Sequence, residues 1–269
     1  MLKLSEILLS PKKSERHPFE IIFVGFFYTS LSLLISLWIL PEHASLVMVF
    51  LTVIACLYLV EGILIVEEDK ENNLNKGSWI LKEHSKFLFF LMFLFFGFLI
   101  AFIFWTIVLP ENITSIVFSL QKASFQEIKS ISGMVTSTTG AFSIILGNNL
   151  KVLLLSLILA LFYGAGAIFI LAWNASMMGY IIGDLVKNNL GIISLPYALL
   201  KYSLHGIPEI LAYFAAALAG GIIFVTVVRG NFQKEKIKKT IMDVTIIIGI
   251  SILLLLIAAL IEVYVSSFI

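Results

Sequence analysis

The chain has 269 residues, 60% of them apolar and 13% charged, with a formal net charge of +1 and a mean hydropathy of +1.05. Soluble globular chains hold roughly 45–50% apolar residues, so this composition excludes water as the solvent for most of the molecule. Lys and Arg sit at the ends of apolar runs rather than in a block interleaved with aromatics, which argues against nucleic acid as a partner.

The first twenty residues, MLKLSEILLSPKKSERHPFE, lack the apolar centre and cleavage site of a signal peptide. The chain is therefore expected to start on the cytoplasmic side, with its first span as the targeting signal. That span covers about Glu20–Leu40 and ends at Pro41-Glu42-His43, a connection so short that the second, about Ala44–Val66, must return antiparallel beside it. Cys56, the only cysteine, lies inside this second run and rules out an intrachain disulfide or a cysteine-only metal cluster. A polar stretch at Glu67–Lys86 leads to a third span, about Phe87–Leu109, rich in Phe and closed by Pro110.

Glu111–Asn149 is the longest poorly hydrophobic segment. Within it Ile113, Ile116, Val117, Leu120, Ile128 and Ile131 fall on one helical face, with Lys122, Gln126 and Lys129 opposite. The pattern predicts a helix that either lies along the membrane surface or caps the protein's own bundle. Ser132–Gly147, rich in Ser, Thr and Gly, reads as a loop. The Asn112-Ile113-Thr114 sequon falls in this outer segment and could accept a glycan, whereas Asn174-Ala175-Ser176 lies in an apolar block and should not.

Leu150–Val186 is one apolar block, broken at Gly164-Ala165-Gly166. It is too long for one ordinary span and too short for two comfortable ones, so a tight pair of short helices, hairpin or re-entrant, is predicted. Spans at about Gly206–Val228 and Thr240–Val265 follow. Arg229–Asp243 holds five basic residues in a short loop and should share the side of the N-terminus. Seven legs achieve this: thirteen of the eighteen Lys and Arg become cytoplasmic, leaving Lys122, Lys129, Lys151, Lys187 and Lys201 outside with the C-terminus. The reading is an all-α, polytopic transmembrane helical bundle of six to seven membrane segments, multi-pass in the cell membrane. Its regions are residues 1–110 with three helices, an extracytoplasmic amphipathic and loop segment at 111–149, and a membrane domain with the C-terminal span at 150–269.

Ionisable groups at membrane depth cost at least a few kcal/mol on insertion scales, and here they are Glu61, Asp184, His205 and Glu209, with Glu262 near a helix end. Glu61 and Asp184 lie close enough to predicted helix ends to reach the headgroups. His205 and Glu209 stand four residues apart in HGIPE, the spacing that places two side chains on one helix face. They form either a functional polar centre at the start of a span or a helix-terminus device, with Glu209 offsetting the helix dipole and Pro208 in the tolerant first turn. Two ligands are too few for zinc, and His17, His43 and His84 are in distant segments. Asn174 needs a partner from a neighbouring helix, and Gly164, Gly166, Gly179 and Gly183 would let one approach. The chain has no nucleophile elbow, HExxH, Walker loop or dinucleotide fingerprint. It is therefore not expected to be an enzyme, and no catalytic residue, metal or cofactor is assigned.

Asn148-Asn149 precede an apolar helix, Gly164 and Gly166 follow it, Asn174 is followed by Gly179, and His205-Gly206 with Glu209 lead into Ala219-Gly220-Gly221. This succession resembles the stage II sporulation protein M family, over roughly Gly147–Gly230. In that family an Asn-Asn segment opens the membrane domain and a Pro-His-Gly-x-x-Glu motif begins a later helix; here Ser203-Leu204 precede the histidine and Ala175 follows the asparagine. The resemblance implies a functional polar cluster of Asn148, Asn149, Asn174, His205, Gly206 and Glu209. It also implies kinship with scaffolds that assemble a cell-wall hydrolase complex at the engulfing membrane of sporulating bacteria, although related proteins occur in archaea and in bacteria that do not sporulate. The expected function is an integral membrane scaffold, assembly or membrane-remodelling component. Its expected partners are the lipid bilayer and either other membrane proteins or further copies of itself. The alternative is a transporter or permease subunit with a polar cavity around His205 and Glu209.

Overall fold

The computed structural model describes residues 18–71, 85–134, 138–160, 165–228 and 234–266. The expectations placed on the N-terminal segment with His17, and on His84, Gly164 and Arg229, lie outside these residues. The described helices are α1 (Pro18–Ile39), α2 (Ala44–Glu71), α3 (Ser85–Val108), α4 (Glu111–Val117), α5 (Ser119–Met134), α6 (Thr138–Ala160), α7 (Ala165–Leu185), α8 (Leu195–Val228) and α9 (Lys234–Ile261). Among the described residues there is no strand. Seven helices, all but α4 and α5, are long and apolar enough to cross a membrane, and apolar residues circle them instead of forming one stripe, as lipid and protein neighbours together require.

Punctuation between the spans follows local chemistry. Pro41–His43 forms a single 3₁₀ turn that returns α2 alongside α1. Pro110 caps α4 with its carbonyl, which accepts from the amides of Ile113 and Thr114 at 3.0 and 2.9 Å. Gly191, at φ 71°, takes the left-handed conformation that only glycine adopts without strain, and Ser194 closes the turn on the Gly191 carbonyl.

Three expectations are corrected. The amphipathic segment is two helices, not one, because Phe118 (φ −110°, ψ 25°) interrupts it and turns its ring into the core. Val117, Phe118 and Gln121 are buried there, while Ile116 and Leu120 of the expected apolar face are exposed; the side chains of Ile128 and Ile131 lie outside the description. Secondly, residues 138–147 are not loop: α6 starts at Thr138, where Ser143 satisfies its hydroxyl on the Thr139 carbonyl at 3.0 Å and Leu146 packs on neighbouring helices. The expected short pair is therefore two helices of 23 and 21 residues, each about 30 Å or more in length, enough to cross fully. Finally, α8 starts at Leu195 rather than Gly206. Leu195, Ala198, Leu199 and Tyr202 recur at helical spacing on one face and pack on the main core, which extends the helix outward.

The spans pack in two groups. In the first, α3 lies between α1 and α7, with α2 against α1 and α7. The seams are set by glycine: a Cβ on Gly97 would stand 2.5 Å from the Ile22 carbonyl oxygen, and one on Gly179 would stand 2.5 Å from Cβ of Phe102. In the second, α6 and α9 flank α8, and a Cβ on Gly220 would meet the Leu157 carbonyl oxygen at 2.6 Å. α8 joins the groups, with Phe214 edge-on to Phe95 at 6.3 Å.

A polar layer in the second helix group

Leu153 of α6, Ile170 of α7, Ala212, Tyr213 and Ala216 of α8 and Leu255 of α9 form a small apolar core of their own. Asn149, Asn174 and Glu209 each stand one helical turn from a member of this core, on the same helix face. The crossings alternate in direction, so all three fall on the same side of it. Glu209 is the best defined: Tyr213, which is 2% exposed, donates its hydroxyl to Glu209 Oε1 at 2.7 Å. Glu262, in the wider turn Glu262–Ser266 that ends α9, lies within electrostatic range of both Glu209 and Tyr213.

The six residues singled out in the sequence separate by role. Asn149 is buried and Asn148 is exposed. Asn174 donates Nδ2 to the Ile170 carbonyl of its own helix at 2.8 Å, so the interhelical partner expected for it is replaced by a local one. His205 is hydrogen-bonded to the backbone of Lys201 and stands edge-on to Tyr202 with ring centroids 6.2 Å apart. Gly206 is buried against Met178, whose Cε would lie 2.8 Å from an added Cβ. Because α8 begins at Leu195, His205 and Glu209 are not a helix-terminus device, and Pro208 is an interior proline. It denies the Leu204 carbonyl its amide partner and breaks the helical ladder beside Glu209.

Two polar clusters escaped the sequence reading. Gln121 of α5 is wholly buried, accepting from the Ser45 hydroxyl at 2.6 Å and donating to the Ser176 hydroxyl at 2.9 Å. The amide of Leu120 also donates to Ser45 at 3.2 Å. One amide side chain thus ties α5 to α2 and α7. Lys187, in the turn after α7, donates Nζ to the Leu109 and Thr106 carbonyls at the end of α3 and to Thr114 Oγ1, and pairs with Glu111 at 3.6 Å. A cation there satisfies the orphan carbonyls and the negative end of the α3 dipole. Thr114, the hydroxyl of the Asn112 sequon, is buried in the same contact.

Residues 86–267 match the model of the family described as Stage II sporulation protein M. The match takes in α3 to α9, well beyond the Gly147–Gly230 stretch that carries the quoted motifs. No curated protein and no solved structure matches the chain.

Proposed function

The chain belongs to the stage II sporulation protein M family, and from that premise we propose that this multi-pass membrane protein is an assembly component, not an enzyme, acting in the cell membrane through lateral contacts with other membrane proteins. The observation that carries this reading is the uneven burial of the spans. In α6, 17% of the crossing segment is buried in the bundle, against 56% in each of α3, α7 and α8. A helix so little engaged by its own chain, yet carrying polar residues outward at Asn148 and Lys151, has a face suited to another membrane protein. The remaining polar groups act as internal ties: Gln121 joins three helices, Lys187 caps α3, and Tyr213 holds Glu209. The N-terminus and the basic segment between α8 and α9 are assigned to the cytoplasm, because seven crossings gather most of the basic residues on that side.

A photo-crosslinking residue placed at Leu154, exposed on α6, tests the proposal in native membranes, with Ile54, exposed on α2, as the control. Discrete protein adducts from position 154 and lipid adducts from 54 are expected. Lipid adducts alone from both positions would refute an assembly role for this face.

A second reading, a transporter or permease subunit, draws support from one feature. Pro208 interrupts α8 beside Glu209, with Glu262 within electrostatic range, and interrupted helices line substrate sites in transporters. It requires water to reach Glu209, which thiol labelling can measure.

A further inference from the structure

Lys151, expected outside the membrane from the sequence, lies instead within a helix long and apolar enough to cross it, and so places a charge where hydrocarbon is expected. It lies ~14 Å along α6 from Ala160 and ~20 Å from Thr138, near the middle of a crossing of 23 residues. Its side chain is exposed, without a hydrogen-bond or ion-pair partner among the described residues. Asn148, one turn away on the same face, is exposed as well, and Leu154, Leu155 and Ile158 continue the exposed surface toward Ala160. The four-carbon stem of lysine covers only part of the distance to either headgroup layer. An ammonium left in the lipid interior is costly and calls for a counter-charge.

We propose that the Lys151 face of α6 receives a transmembrane helix of another protein that carries an Asp or Glu side chain at matching depth. Charge complementarity selects this occupant. A second copy joined through the same face by a two-fold axis would bring Lys151 toward its own symmetry mate, opposing like charges in a medium of low dielectric. A carboxylate opposite Lys151 neutralises the ammonium and accepts its hydrogen bond, Asn148 offers a second polar contact, and the leucines supply the packing. The inference rests on the assembly reading and adds the chemistry of the partner.

The test uses the full chain, bearing a fluorescent protein at its C-terminus, in phosphatidylcholine vesicles. The probes are acceptor-labelled synthetic transmembrane Leu-Ala helices with a single central Glu, Gln or Lys, and energy transfer reports binding. The Glu helix is expected to bind about tenfold more tightly than the Gln helix. That preference should vanish in Lys151→Gln, persist in Lys151→Arg, and turn toward the Lys helix in Lys151→Glu. Lys151 is exposed, so these variants are expected to fold, and a single elution peak checks it. Equal binding of the Glu and Gln helices, or a preference that survives Lys151→Gln, overturns the proposal. So does Lys151-dependent enrichment of labelled phosphatidylglycerol without discrimination among the helices, which assigns the face to an anionic lipid. Protein adducts from position 154 combined with no acidic preference would remove this inference and leave the assembly role standing; lipid adducts alone from position 154 would remove the assembly role for this face and this inference with it.

Discussion

The two helix groups of this protein solve the same packing problem with different chemistry. α1, α3 and α7 are locked by glycine seams, backbone to backbone at Gly25 and Gly97 and against Phe102 and Thr106 at Gly179 and Gly183, and by Trp105 donating to Ser30 across α3 and α1 at 2.9 Å, while the Gln121 bridge ties in α2. α6, α8 and α9 meet along small residues such as Ala212, Ala216 and Gly220, but Glu209 stands beside their core, bonded to Tyr213, and α6 leaves one face exposed from Asn148 to Ile158. Lipid tails are as apolar as the side chains they would replace, so helices in a membrane gain little from burial as such and depend on close approach and polar ties. A group with both in full is a platform. A group with a carboxylate beside its core and one exposed helix face has capacity for a partner.

That contrast can be broken in stages. The largest effect is expected from Gly97→Leu, because the added side chain would enter the Ile22 carbonyl and the Gly25 backbone, neither of which can move aside. A loss beyond ~3 kcal/mol is anticipated, seen as failure to accumulate as a monodisperse species in detergent. Gly220→Val strikes the corresponding seam between α6 and α8. It should cost about 2–3 kcal/mol and lower the thermal midpoint without preventing folding, since α6 contributes little buried surface.

Gln121→Leu removes both bridging hydrogen bonds from a buried site and is expected to cost about 1–3 kcal/mol. Adding Ser45→Ala and Ser176→Ala should recover part of it, because no polar partner is then stranded; thermal unfolding of the single and triple variants checks the point. Smallest is Lys187→Met, which uncaps α3 at a partly exposed site and should cost about 1 kcal/mol, with a weakened salt dependence of the midpoint.

The sequence conveyed the hairpin of α1 and α2 within a few residues, because their apolar runs are long and Pro41 divides them. It was less legible wherever a helix carries polar residues. Thr138–Gly147 reads as loop by composition, yet intrahelical hydroxyl bonding and the packing of Leu146 hold it as helix. Lys201, Ser203 and His205 concealed the first eleven residues of α8, although Leu195, Ala198, Leu199 and Tyr202 already mark a helical face. Of the candidate polar residues, Glu209 and Asn174 could be found as polar groups inside apolar runs. Their immediate partners, Tyr213 and the Ile170 carbonyl, follow from spacing of four along one helix. Gln121 and Lys187 could not be ranked from sequence, because their partners are 55 to 81 residues away in the chain.

The central claim is that the carboxylates of the second group are packed structural groups and that the protein works through its lateral faces. Single cysteines at positions 209 and 213, in a Cys56→Ala background, test it most directly when intact membranes are treated with a membrane-impermeant thiol reagent on each side. Protection of both positions, under conditions that label a cysteine at exposed Asn112, is the result expected of a packed centre. Rapid labelling of position 209 from either side would reveal a water-filled route to the carboxylates and contradict the account in favour of transport.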